Sequence, residues 1–253
     1  MEIPLLAALG AIGLIAGVLI GCVGIGGVLL VPALVYLGGI EVHAAIATCL
    51  WVFLFSGVAG TVLFARRGSI DWRMAASICA GAVPTAFVGA LVMAATPGRA
   101  LELIIAALVL FGGVNALRRG RGSQPRGDRP GALPLAAVGA LTGFGSALSG
   151  TGGPLILVPA LVWMRLPALA VVAMGQVIQI PVAAFATVGN LAGGHLDLAL
   201  GTAIAAALVV GVVAGARLAH AVAMRTLERI VSVVLVVTGA FLLARLAVTL
   251  TTA

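Results

Sequence analysis

The sequence has no lysine, one tyrosine, three cysteines and only seven acidic residues in 253. Each scarcity excludes something. Charged residues make up 8% of the chain and hydrophobic residues 62%, with a mean hydropathy of +1.28. A water-soluble domain this size lacks the polar surface to cover so much apolar mass. Cys22, Cys49 and Cys79 are far apart in apolar runs and form no CxxC or Cys/His spacing. They read as small buried hydrophobes, not as a disulfide framework or a metal site. No acidic residue falls in the middle of an apolar run, which argues against a cation carrier or a carboxylate proton relay. No HExxH, no GxSxG and no Asp pair within a run is present, so no enzyme is indicated and no cofactor is called for.

All basic residues are arginine, and the net charge is +7. They stand at the ends of apolar runs, where they act as topology signals, so nucleic acid is not a partner. The N-terminal MEIPLLAALGAIGLIAG lacks a basic leader region and reads as a retained first membrane segment.

What is present is a series of apolar stretches. Five lie at 3–23, 27–38, 43–65, 72–95 and 100–117, and five more at 132–149, 154–164, 168–192, 198–221 and 227–247. Between them RRGRGSQPRGDRPG, from Arg118 to Gly131, is too polar to enter a bilayer. A span needs about 20 apolar residues, so the short stretches do not cross alone. The expected fold is an all-α polytopic membrane protein with about eight spans. Residues 1–117 form a first transmembrane repeat, 118–131 a cytoplasmic linker and 132–253 a second repeat. The expected location is the inner membrane, with the lipid bilayer as partner; the sequence leaves homo-oligomerisation open.

The two halves are copies. Gly13, Gly17, Gly24, Gly26 and Gly27 align without a gap on Gly139, Gly143, Gly150, Gly152 and Gly153. The offset of 126 also pairs Asp71 with Asp197, Gly89 with Gly215, Arg99 with Arg225, Glu102 with Glu228 and Gly113 with Gly239. Internal duplication of this kind is common among secondary transporters. The loop at Asp71 carries Arg66, Arg67 and Arg73, whereas the loop at Asp197 has no Arg. Conversely, Arg99 stands alone in its loop while its counterpart has Arg217, Arg225 and Arg229. The basic bias has changed loops, which favours halves of inverted orientation. A parallel arrangement with 3–38 as one broken span is the alternative.

The chemistry-bearing feature is the pair of breaks, GCVGIGGVLLVPALV and GSALSGTGGPLILVPALV. Each half thus opens with a Gly-broken or re-entrant segment. Gly clusters and Pro interrupt helices, and a break at membrane depth exposes amides and carbonyls that must find partners. Short segments starting near Gly27 and Gly153 would offer free N–H groups and positive dipole ends, a site for a small anion. The candidate substrate-binding residues are Gly24, Gly26, Gly27, Ser149, Gly150, Thr151, Gly152 and Gly153, with Gln176 and Gln179 from the next span. Ser146 is a further hydroxyl at the second break. Thr48 and Ser56 are the polar residues of the matching first-half span. Gly13, Gly17 and Gly21 read as a helix-packing stripe. His43, His195 and His220, Asp71 and Asp197, and the pairs Arg99/Glu102 and Arg225/Glu228 read as structural residues at span ends.

GIGGVLLVPALV and GTGGPLILVPALV resemble the twin signature segments of the TauE/SafE (sulfite exporter, DUF81) family. The resemblance implies an exporter or permease for sulfite, sulfoacetate or other organosulfonate and sulfur oxyanions. Many members have a third adjacent Gly, where this chain has Val28 and Pro154. A passive anion channel or an accessory membrane subunit is the competing reading.

Overall fold

A computed structural model describes residues 3–118, 130–191 and 196–218, and beyond them 233, 236–241 and 244. Residues 119–129, His195, His220, Arg225, Glu228 and most of the stretch 227–247 lie outside the described residues. Among the described residues all regular structure is helical. The helices are α1 (Ile3–Val23), α2 (Leu30–Tyr36, entered through a 3-10 turn at Gly27–Leu29), α3 (Val42–Arg66), α4 (Trp72–Ala95) and α5 (Gly98–Arg118). They continue with α6 (Ala132–Ser149), α7 (Pro154–Trp163), α8 (Ala168–Leu191) and α9 (Leu198–Leu218). Five of them, α3, α4, α6, α8 and α9, are long and apolar enough to cross a membrane. Their outward faces are apolar as well: Leu133, Leu141, Val188 and Val210 are exposed. Such faces suit lipid and not water.

Three of the seven acids are spent on helix starts. Glu41 caps α3 by accepting from the N–H groups of His43 and Ala44, and Asp71 caps α4 through Arg73 and Met74. Asp197 accepts from Leu200 N–H at 3.0 Å. Each satisfies amides that a helix start leaves unpaired. His43 joins the α3 cap to the end of α4, with Nδ1 on Glu41 and Nε2 2.9 Å from the Thr96 carbonyl.

Glycine contacts give the helix directions. Gly13, Gly17 and Gly21 of α1 meet Ile204, Leu208 and Val212 of α9 in turn, so these helices run in parallel. Gly81 and Gly89 of α4 meet Ala136 and Phe144 of α6, again in parallel. At the centre, Gly57 of α3 faces Gln179 of α8 and Gly60 faces Gln176, so α3 and α8 are antiparallel. Thr48 lies against Gly201, and the Arg67 guanidinium donates to the Ala216 carbonyl at 2.8 Å, which makes α3 parallel to α9. Gly98, just after α4, packs back on Val42 at the start of α3, so α4 runs opposite to α3. Thus α1, α3 and α9 point one way and α4, α6 and α8 the other.

The α1–α9 and α4–α6 pairs pack backbone to backbone. A Cβ on Gly17 would lie 2.1 Å from the Leu208 carbonyl oxygen, and one on Gly139 2.0 Å from that of Ile78. Small residues at four-residue spacing allow this approach where lipid gives no hydrophobic drive for helix association.

Candidate functional site

Both breaks lie where long helices stop. The α1 helix ends at Val23, and the chain reverses at Gly24–Gly26. Gly26 is folded so tightly onto α1 that a Cβ would lie 2.6 Å from the Ala16 carbonyl oxygen. Gly27 then lies against the ring of Phe53, halfway along α3, and the chain proceeds through α2 to the start of α3. Hence α2 doubles back instead of continuing α1; 3–38 is not one broken span. On the other side α6 ends at Ser149, Gly150 is left-handed, and residues 151–153 are unwound. The α7 helix begins next to Ile178, halfway along α8, and leads back to the start of α8. Since α3 and α8 are antiparallel, α2 and α7 are opposed, with their N-termini facing one another at the core.

Phe53 stands between them. A Cβ on Gly27 would be 2.5 Å from its Cζ, and one on Gly152 2.7 Å from its Cδ2. Phe53 has no exposed surface. The surrounding pocket is lined by Gly24, Gly26, Gly27, Thr151, Pro154 and Gln179. The space among these residues has no room for a water molecule.

Hydrogen-bond donors surround the pocket. Gly24 N–H is bonded to the Ile20 carbonyl and Gly150 N–H to that of Ser146. The N–H groups of Ile25, Gly26, Thr151, Gly152 and Gly153 have no protein acceptor among the described residues. The Ser56 hydroxyl donates to Gln179 Oε1 at 2.6 Å. The same hydroxyl lies 3.1 Å from the Phe53 carbonyl; with Oε1 turned to Ser56, Nε2 is the donor that the Gln179 amide has left. Ser149 donates to the Gly145 carbonyl at 2.6 Å and lies 3.0 Å from the Thr151 hydroxyl. With the one Ser149 proton committed, Thr151 donates to Ser149, so neither hydroxyl proton points at the pocket. Gln176 Nε2 donates to the Ile20 carbonyl at 3.1 Å and braces the end of α1. Among the described residues no carboxylate and no arginine lines the space, so the polarity they give it comes from amide donors and two helix N-termini.

The structure therefore brings Gly24, Gly26, Gly27, Thr151 and Gln179 to one pocket, with Gly152 on its aromatic wall. Gly153 caps α7, Ser149 and Gly150 close α6, and Gln176 is a neighbour of the site. Sequence reading passed over Phe53. Its signal was available, because Phe53 stands 126 residues before Gln179, the same offset as the glycines. Val28 lies in the 3-10 turn, and Pro154 takes the first position of α7, where its missing N–H costs nothing.

Re-entrant half-helices meeting inside a bundle of long apolar helices define a multi-pass membrane protein of transporter type. The chain belongs to the family described as "Sulfite exporter TauE/SafE", whose model matches residues 9–242. It is 30% identical over 229 residues to a "Probable membrane transporter protein" of Xylella fastidiosa strain Temecula1, covering 87% of this chain and 85% of that protein. It is 25% identical over 255 residues to the "Probable membrane transporter protein YunE" of Bacillus subtilis strain 168, covering 90% and 93%. No solved structure matches it significantly. The family is one of membrane transporters, not of enzymes; its partners are a small-molecule substrate and the bilayer, and a bacterial inner membrane is consistent with both comparisons.

Proposed function

We propose that this protein carries a small oxyanion, of the sulfite or organosulfonate class, through the pocket between the α2 and α7 N-termini. The observation that supports it is the set of N–H groups without an acceptor among the described residues at Ile25, Gly26 and Thr151, which line the pocket with Gln179, and at Gly152, which lies against Phe53. An anion there satisfies amides that would otherwise be desolvated without partners, at about 1–3 kcal/mol each. Two helix dipoles favour its charge. The name of the family supports sulfur oxyanions as the class. Because the pocket has no room even for water, entry requires Phe53 or a half-helix to move. That suits a carrier that opens to one side at a time, not a standing channel. Sealed vesicles screened with radiolabelled sulfite, sulfate, thiosulfate and sulfonates should show saturable flux with counterflow for one or more of them. Linear flux without counterflow would instead indicate a passive anion channel.

Two inverted halves are part of the proposal. Residues related by the 126 offset fall on α1 and α6, α3 and α8, and α4 and α9, and the members of each pair point in opposite directions. The packing is reciprocal too, with α1 on α9 and α6 on α4. Arg66, Arg67, Arg73, Arg118, Arg165 and Arg217 lie toward the end of the bundle where α3 finishes. Glu41, Glu102 and Asp197 lie toward the other end, with Arg99 as the only described arginine there. The positive-inside rule puts the arginine-rich end in the cytoplasm. In a cysteine-free background, cysteines at Gly68 and Gly194 should then react with an impermeant reagent from opposite sides. Reaction of both from one side would contradict inversion.

A further inference from the structure

The antiparallel pair at the core is chemically lopsided. Residues 176, 179, 183, 187 and 190 of α8 follow the helical repeat and share one face. Four of them are polar: Gln176, Gln179, Thr187 and Asn190. All four are buried, Thr187 at 5% exposure and Asn190 at 2%. The corresponding positions of α3 are Leu50, Phe53, Gly57, Thr61 and Phe64, an almost apolar face. Gln179 belongs to the pocket already described, and Gln176 braces α1. Thr187 and Asn190 have no such task. The Thr187 hydroxyl and both the oxygen and the nitrogen of the Asn190 amide are buried without a hydrogen-bond partner among the described residues. A buried amide unpaired at both atoms is costly, and leucine would fill the same volume without that cost. Use of these groups in another state of the protein would account for that cost.

We propose that Thr187 and Asn190 form a second oxyanion station on the passage from the central pocket to the end of the bundle where α3 begins. The inference rests on the carrier reading above. They lie two to three turns beyond Gln179 on the same face of α8, toward its C-terminal end. When the bundle opens on that side, the Asn190 amide N–H and the Thr187 hydroxyl donate to the anion, and the Asn190 oxygen accepts from its accompanying water. The station is neutral, so it hands the anion on without trapping it. In the closed arrangement the groups are stranded, a cost that opening on that side removes.

The test compares Asn190→Leu with wild type in two measurements: thermal unfolding of the purified protein, and anion flux in proteoliposomes. The station predicts a rise in Tm together with about a tenfold fall in maximal flux, the loss of a charge-assisted hydrogen bond in the rate-determining step. A lower Tm, or a flux equal to wild type, overturns it. A cysteine at 190, with Cys22, Cys49 and Cys79 replaced by alanine, adds a readout that needs no substrate. It should react with an impermeant methanethiosulfonate from one side of the membrane only; no reaction from either side overturns the station. If wild type moves no oxyanion while this cysteine reacts, the passage stands and the carrier reading of the pocket falls.

Discussion

Gly17→Leu is expected to prevent accumulation of folded protein. Its Cβ would lie 2.1 Å from the Leu208 carbonyl oxygen and 3.0 Å from the Gly211 Cα, both backbone atoms that cannot turn aside. The α1 and α9 helices would have to separate along their length, at a cost of about 3 kcal/mol or more. Because α9 also packs on α3, the damage reaches the centre. The milder neighbour is Gly13, where a Cβ meets the Ile204 Cγ2 methyl at 3.1 Å. Gly10→Leu should be neutral, with nothing among the described residues within 4 Å of the added Cβ. Yield of monodisperse protein in detergent gives the order: Gly10→Leu near wild type, Gly13→Leu reduced, Gly17→Leu close to none. A normal yield for Gly17→Leu would contradict the close α1–α9 packing.

The second large effect is on transport. Gly152→Ala should leave a folded protein that has lost more than about tenfold of its flux, a change of about 1.4 kcal/mol or more in the barrier. Gly152 has φ +75°, and its added methyl would fall 2.7 Å from the Phe53 ring. The left-handed backbone costs a non-glycine residue about 1–2 kcal/mol, which the fold tolerates. The pocket does not tolerate it, because the ring must shift and the N–H groups of Thr151–Gly153 turn with the strained loop. A modest fall in Tm with flux lost is the expected pair of results. Flux equal to wild type in a folded Gly152→Ala protein would show that the second break does not hold the anion.

Much of this was legible in the sequence, for physical reasons. The helices α3, α4, α8 and α9 were readable because lipid-spanning segments must be long, apolar and internally hydrogen-bonded, which leaves a plain signal. The two breaks were readable because Gly clusters and Pro cannot continue a helix. The reversal of α2 was not: a Gly break ends a helix without stating where the chain goes next. Nor was the use of the Ser149 and Thr151 protons, which depends on where the Gly145 carbonyl lies. The 126-residue offset marks Phe53 as the counterpart of Gln179, but its place between Gly27 and Gly152 depends on how both breaks fold. The orphaned state of Asn190 could not be read at all, since partners for a buried amide come from distant segments.

The central claim is that a small oxyanion binds at the amide donors around Phe53, and calorimetric titration of the purified protein tests it most directly. Wild type titrated with sulfite, sulfate, thiosulfate and sulfoacetate should show saturable binding of at least one anion with one site per chain. Gln179→Leu, which removes the Nε2 donor and the acceptor of the Ser56 hydroxyl, should weaken that binding by about tenfold or more. Binding of the same anion to Gln179→Leu and Gly152→Ala proteins with wild-type affinity would place the anion elsewhere and contradict the account.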